Sequence, residues 1–270
     1  MNSDDKKFIL CITAVIALMI GGYASITIYT GFDSPFSVIM SQSMQHNDDR
    51  SEIGCIDTGD VVIIRDPNMC QIYSYVEGVQ NGYKSFGDYG SVIIYERNQW
   101  QNPVIHRAIL WLEYDPATDT WSAPSLIGYS GTWYWEHNGI RSLNTTGMKG
   151  MLFFEDMTQS KKDLKINLES QSLKNGGSGY LTLGDNINNY NFDQYNGTIV
   201  KHLVNEHMIK SIPILEIPWV GTLKILFKND GVNLEHVPNS IPSFIMAIIL
   251  LISITIVADL AHTYLIKQKK

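Results

Sequence analysis

The sequence predicts a mainly β domain of antiparallel sheets flanked by two transmembrane α-helices. Apolar residues crowd both ends of the 270-residue chain, so the mean hydropathy of −0.05 averages two apolar ends with a polar middle. That middle is rich in β-branched and aromatic residues, and Gly, Asn and Asp mark its turns. Hydrophobic residues at 44% against 17% charged exclude intrinsic disorder. The absence of heptads or a repeating block excludes a coiled coil or solenoid. A net charge of −7 argues against a nucleic-acid partner, which would need a basic face. Three cysteines are too few for a disulfide scaffold or a Cys-rich zinc site.

Residues 8–32 carry no charge, and neither do residues 237–258. At about 1.5 Å per helical residue, either run crosses a hydrocarbon core of about 30 Å. The second continues past Asp259 to residue 266, and Asp259 lies close enough to that end to be solvated. Lys6 and Lys7 precede the first span, and Lys267, Lys269 and Lys270 follow the second. Both tails, residues 1–7 and 267–270, are therefore expected in the cytoplasm, and residues 33–236 outside it. A cleaved signal peptide ending near Gly22 and Ala24 is the rival; the apolar run continuing to Phe32 disfavours it. Cys11 lies in the first span. Cys55 and Cys70 lie outside, and spacing leaves open whether they pair or stay free.

The outer segment reads as strands. Val61-Val62-Ile63-Ile64 follows a Thr-Gly-Asp turn, residues 91–95 follow Gly90, and residues 104–111 form a longer strand. Leu164, Ile166 and Leu168 alternate with polar residues, and residues 180–183 form another short strand. Residues 212–227 continue the pattern through Trp219-Val220-Gly221. Residues 196–209 fit one helix loosely through Ile199, Leu203 and Met208. About 200 residues of this kind bury a sizeable core.

Three segments carry candidate chemistry. Ser41-Gln42-Ser43-Met44 lies just beyond the first span, ahead of a Gly59-Asp60 turn and an apolar strand. His106 sits inside the apolar Val104-Ile105-His106-Arg107, where its ring needs a carboxylate partner. Leu183-Gly184-Asp185-Asn186 runs into a loop containing Asp193. Each has a plainer reading: a hydroxyl-rich turn, a satisfied core histidine, and ordinary Asp/Asn turn chemistry. Together, Ser, His and Asp suit nucleophilic hydrolysis, because a serine hydroxyl attacks only when a base takes its proton.

These segments resemble type I signal peptidase of the archaeal and endoplasmic-reticulum kind, which uses a Ser-His pair. The resemblance rests on residues 38–44, Gly59-Asp60-Val61-Val62, residues 104–107, Leu181 to Asn186 with Asp193, and Ile217-Pro218-Trp219-Val220-Gly221. In the bacterial branch a lysine stands where this chain has His106. The chain departs in having Gln42 between the serines, Gln45-His46 after Met44, and long gaps on either side of His106.

The resemblance implies a signal-peptidase-like extracytoplasmic catalytic domain. In it Ser43 attacks the scissile carbonyl and His106 is the general base. Asp193 or Asp185 orients His106, with Asp193 favoured and Asp185 assigned to holding the loop. The Ser43 N–H and the Ser41 hydroxyl would form the oxyanion hole. It also implies secretory pre-protein signal peptides as substrates, cut after small residues, with the lipid bilayer and accessory secretion subunits as partners. No metal or other cofactor is expected. His46 reads as a surface loop side chain. Residues 113–175, with Trp121, Trp133, Tyr134 and Trp135, read as an insertion with its own small core or as a lipid or partner contact. Asn144 and Asn196 head glycosylation sequons. Two other readings compete: a non-catalytic, doubly anchored binding or structural β protein, and a self-cleaving protease, against which His106 argues because that branch uses lysine.

Overall fold

The computed structural model describes residues 3–97, 101–227 and 240–268. Helix α1 (Ser3–Thr30) opens the chain and α5 (Ser240–Gln268) closes the described part. Each contains a stretch long and apolar enough to cross a membrane, Asp5–Thr30 and Ser240–Ala261, whose most apolar 18 residues are not buried against the protein. Residues 3–7 belong to helix α1, and Asp259 is exposed on α5. Lys269, Lys270 and the expected start of the second span at residues 237–239 lie outside the described residues.

Between the helices the protein is mostly antiparallel β-sheet. Strands β1 (Phe36–Val38) and β2 (Val61–Arg65) lead into the short α2 (Tyr75–Asn81). Ser74 and Glu77 close a capping box on α2, and Gly82 ends it at φ 80°. A two-residue hairpin, β3 (Lys84–Ser85) and β4 (Asp88–Tyr89), precedes β5 (Val92–Tyr95) and the long β6 (Val104–Asp115). Then come β7 (Thr120–Ser122), β8 (Thr132–His137), β9 (Ile140–Ser142), β10 (Met151–Met157) and β11 (Lys162–Asn167). The described outer part ends with α3 (Gln171–Gly176), β12 (Gly179–Leu183), β13 (Ile209–Ile217) and α4 (Thr222–Phe227). The main sheet runs β1-β2-β13-β5-β6-β12, with β7 paired to β6; a second sheet runs β11-β10-β8-β9.

Both long helices meet the domain at the ends of β2. The Asp66 N–H donates to Thr30 O at 2.8 Å, and Arg65 lies over the Tyr29 ring at 4.4 Å. At the other end the Ser240 hydroxyl donates to Thr58 O at 2.5 Å. The strand following the Ser41-Ser43 segment is thereby tied to both apolar helices.

Three expectations change and one open question is settled. Residues 196–209 form no helix: Asn196 and Gly197 have φ of 51° and 65°, which break an α-helical run, and only single 3₁₀ turns form at Tyr195–Gly197 and Glu206–Met208. Val200, Leu203 and Val204 are buried, and Val204 bridges Tyr180. Residues 212–227 are not one strand; β13 stops at Ile217, and Trp219 at φ 65° turns the chain into α4. The region 113–175 has no core of its own. Trp121, Leu152, Phe154 and Ile166 from that region share one cluster with Leu110, Leu181 and Phe192 of the main body. Each sheet has an apolar face that must be covered, and the two cover one another. Cys11, Cys55 and Cys70 are all free thiols, so Cys55 and Cys70 do not pair.

Trp121 sits at this junction, 1% exposed, with its indole N–H donating to Leu168 O at 2.8 Å. Trp121→Ala is expected to destabilise the protein by about 3–5 kcal/mol. Because the core is shared, unfolding in denaturant should stay a single transition by near- and far-ultraviolet circular dichroism. Separate unfolding of the second sheet would contradict a shared core.

Candidate active site

The serine segment is placed by β1. That strand pairs with β2, Phe36 opposite Ile63 and Val38 opposite Val61, and two further bonds between Ile39 and the Gly59-Asp60 turn extend the ladder. Ser41 then starts a 3₁₀ turn over Gln42–Met44. Met44 and Gln45 plug into the core, which fixes the turn's depth. The Ser43 carbonyl accepts Asn186 N–H at 3.0 Å and the Asn189 side-chain amide at 2.9 Å; Gln42 O accepts the Asn186 side-chain amide at 2.9 Å. The Ser43 hydroxyl bonds Ser41 Oγ at 3.2 Å rather than His106.

Strand periodicity sends neighbours His106 and Arg107 to opposite faces of β6. His106 is 2% exposed, and its Nδ1 lies 2.7 Å from Asp193 Oδ2. The same carboxylate oxygen accepts the Thr182 hydroxyl at 2.6 Å and the Tyr95 phenol at 2.7 Å. Burial alone would raise the Asp193 pKa, but His106 and these hydrogen bonds outweigh it and hold the carboxyl below its ordinary range. Burial, reinforced by the Asp193 charge, pushes the Tyr95 phenol up, so it stays a donor. An ionised Asp193 only accepts, so His106 Nδ1 carries the proton of this bond, and in the neutral imidazole Nε2 is then the acceptor. A Cβ on Gly184 would lie 2.9 Å from His106 Nε2 and collide with Ser43 O. Glycine is what lets the serine turn and the histidine close on the same point.

Arg107, fully buried, forks onto Asp185, its Nε at 2.9 Å from Oδ1 and a second donor on Oδ2. Its Nη1 also donates to Ser85 O, Tyr89 O and Gly90 O at 2.9–3.1 Å. Burial would raise the Asp185 pKa, but Arg107 and His46 drive it far down. The structure thus brings His106 to Asp193 and gives Asp185 to Arg107. His46 is not a surface side chain: the 3₁₀ turn folds it inward, and it bridges Cys55 Sγ and Asp185 Oδ2 at 3.3 Å each. Burial lowers its pKa, but bonds to Asp185 and Cys55 raise it to about 10, so at neutral pH it is a cation and no base.

His106 and Ser43 line an open groove of about 1310 Å³. One wall is residues 36–41, with Val38 and Met40; the other is Val104 and Ile105 with Ile94 behind. Both walls have free strand edges among the described residues. β1 is the sheet's edge strand, and β12 pairs with β6 only as far as Arg107, leaving residues 104–106 unpaired on that side. Among the described residues no group of three or more His, Cys, Asp or Glu is arranged to hold a metal ion.

Tyr95, Thr182, Asn189 and Arg107 support this site without having stood out in the sequence. Arg107 was legible only as the neighbour of His106. Tyr95 and Thr182 occupy ordinary strand positions that carry no local signal. No protein-family model matches this chain, and no curated protein matches it significantly.

Asp185→Ala would strand a buried guanidinium, and is expected to cost about 3–5 kcal/mol in chemical unfolding. The Asp185 pKa is depressed on folding, so its contribution is present above the unfolded carboxylate value of about 3.9 and lost as pH falls toward the folded value. The wild-type advantage over Asp185→Ala should therefore be full at pH 6 and shrink below about pH 4. An advantage independent of pH would contradict the ion pair.

Proposed function

We propose that this protein is a membrane-anchored serine endopeptidase that removes signal peptides from secretory pre-proteins, as its resemblance to archaeal and endoplasmic-reticulum type I signal peptidase implies. The observation that carries this reading is the buried Asp193–His106 contact of 2.7 Å, beside a groove that His106 lines together with Ser43 and Ser41.

In this reading Ser43 Oγ attacks the scissile carbonyl carbon while His106 Nε2 takes its proton. Asp193 stabilises the imidazolium through Nδ1–H. The tetrahedral oxyanion is met by the Ser43 N–H and the Ser41 hydroxyl. The intermediate collapses, His106 returns the proton to the leaving amine, and an acyl ester remains on Ser43. Water, deprotonated by His106, hydrolyses the ester. Because Ser43 bonds Ser41 in this state, its hydroxyl must rotate toward Nε2 when substrate enters; such contacts commonly tighten only with substrate bound.

The groove suits an extended chain. A substrate strand between the free edges of residues 36–40 and 104–106 would make main-chain hydrogen bonds on both sides. Val38, Met40, Ile94 and Ile105 would offer shallow apolar contacts to small side chains. The helices α1 and α5 would hold this groove at the membrane surface, with both termini cytoplasmic and the β domain outside. There a signal peptide's apolar segment lies in the bilayer and its cleavage site just beyond.

The test is cleavage of a pre-protein by the detergent-solubilised full chain. Wild type should cut after small residues, and folded Ser43→Ala and His106→Ala should not. Asp193→Asn should lose about 10⁴-fold in kcat, because the wrong histidine tautomer is favoured. Ser41→Ala should lose about 10²–10³-fold, the usual cost of one oxyanion donor. Undiminished cutting by folded Ser43→Ala would sink the assignment.

A further inference from the structure

The β10–β11 hairpin belongs to the part of the chain that the proposed mechanism leaves without a role. Its turn folds back onto the main body. Gln159 N–H donates to Asp88 Oδ2 at 3.1 Å, and its side-chain amide donates to Gly87 O. Both acceptors lie on the hairpin that cages Arg107, whose Nη1 bonds Ser85 O and Tyr89 O.

Lys162 opens β11 on the opposite side of the same turn. The strand alternates buried and exposed, and Lys162 shares the buried face with Leu164 and Ile166. An apolar residue is the ordinary occupant of such a position, because burying an ammonium costs free energy unless it is well paired. Lys162 is 5% exposed. Its Nζ donates to Asn186 O at 2.7 Å, with Gly184 O at 3.4 Å and Asp185 O at 3.5 Å. The three carbonyls belong to the loop that carries Asp185 and touches the serine turn.

The connection continues through Asn186. Its N–H donates to Ser43 O at 3.0 Å and its side-chain amide to Gln42 O at 2.9 Å. Two hydrogen bonds therefore separate the Lys162 ammonium from the Ser43 carbonyl. The charged groups around this lysine are Asp185 on the loop, Asp88 on β4 and, through Asp185, Arg107 on β6 and His46 on the serine turn. Burial lowers the Lys162 pKa to about 8 against the pull of Asp185 and Asp88, so the group is a cation at neutral pH.

We propose that Lys162 is a positioning residue: through it the second sheet fixes the Gly184-Asp185-Asn186 loop, and with it the Ser43 turn, in the geometry for peptide-bond cleavage. This rests on the peptidase reading given above for its catalytic consequence, but not for the latch itself. Lys162 touches no reacting atom. It acts on kcat by holding the nucleophile's main chain, whereas the substrate groove is walled by other residues. The region 113–175 is then a brace for the site rather than a separate module.

Two readouts on the full chain in detergent test this. The first is amide exchange, by mass spectrometry, of peptides spanning residues 41–46 and 184–189. The second is kcat and KM for pre-protein cleavage. Lys162→Met, similar in length and apolar, should fold and show faster exchange in both peptides with β6 unchanged. Its kcat should fall about tenfold or more while KM stays within about twofold, as misplacement of a catalytic group predicts. Lys162→Arg, which restores charge and donors, should recover part of the loss. Should the methionine variant not fold, Lys162→Gln takes its place with the same expectations. Wild-type exchange in the folded variant would overturn the latch, and a change confined to KM would overturn its effect on cleavage. If neither variant folds, Lys162 is a fold residue and the proposal fails. A wild type that cuts no pre-protein would remove the peptidase reading, while the exchange data would still decide the latch.

Discussion

The site depends on two adjacent residues of one strand, each held by a buried carboxylate from one loop. His106 and Arg107 leave β6 in opposite directions, and residues 185–193 reach both. Arg107 with Asp185 fixes where the loop begins; His106 with Asp193 fixes where it ends. Asn186 and Asn189, between them, hold the main chain at Ser43. Ser43, His106 and Asp193 are far apart in the chain, yet few degrees of freedom remain among them.

Buried ion pairs add little net stability, because desolvation offsets much of their attraction. Arg107 nevertheless satisfies its donors almost entirely with one carboxylate and a ring of carbonyls. What such a network supplies is a unique arrangement: an apolar pair would fill the space without dictating where the loop's main chain goes. For the proposed mechanism that matters, because it brings a hydroxyl and an imidazole nitrogen together within tenths of an ångström. The same logic places Lys162, a cation at a core position, on the carbonyls of the same loop. Gly184 completes the arrangement, since any side chain there would enter the space between Ser43 and His106.

Much of the architecture was legible in the sequence, for physical reasons. Uncharged runs at both ends have few alternatives to long apolar helices, and β2, β5, β6 and β12 follow from β-branched runs closed by Gly, Asp and Pro. The candidate residues Ser43, His106, Asp185 and Asp193 lie in spaced segments; the structure brings Ser43 and His106 to one groove and Asp193 behind His106, and gives Asp185 to Arg107. What failed did so where local pattern is degenerate. Residues 196–209 carry apolar residues that fit a helical face, but Asn196 and Gly197 adopt left-handed conformations and the apolar side chains fill separate parts of the core. Residues 212–227 stay apolar throughout, and the change from strand to helix turns on the single conformation of Trp219. His46 looked solvent-facing because nothing local reveals a distant Asp185. The same holds for Tyr95, Thr182 and Lys162, whose roles exist only through long-range contacts.

The central claim is that Ser43 is a nucleophile activated by His106. It is tested most directly by covalent capture with a peptidyl diphenyl phosphonate bearing a small residue, followed by peptide mapping. Wild type should form one adduct, on Ser43, and folded His106→Ala should form none. An adduct on another residue, or one that forms at the same rate without His106, would contradict it.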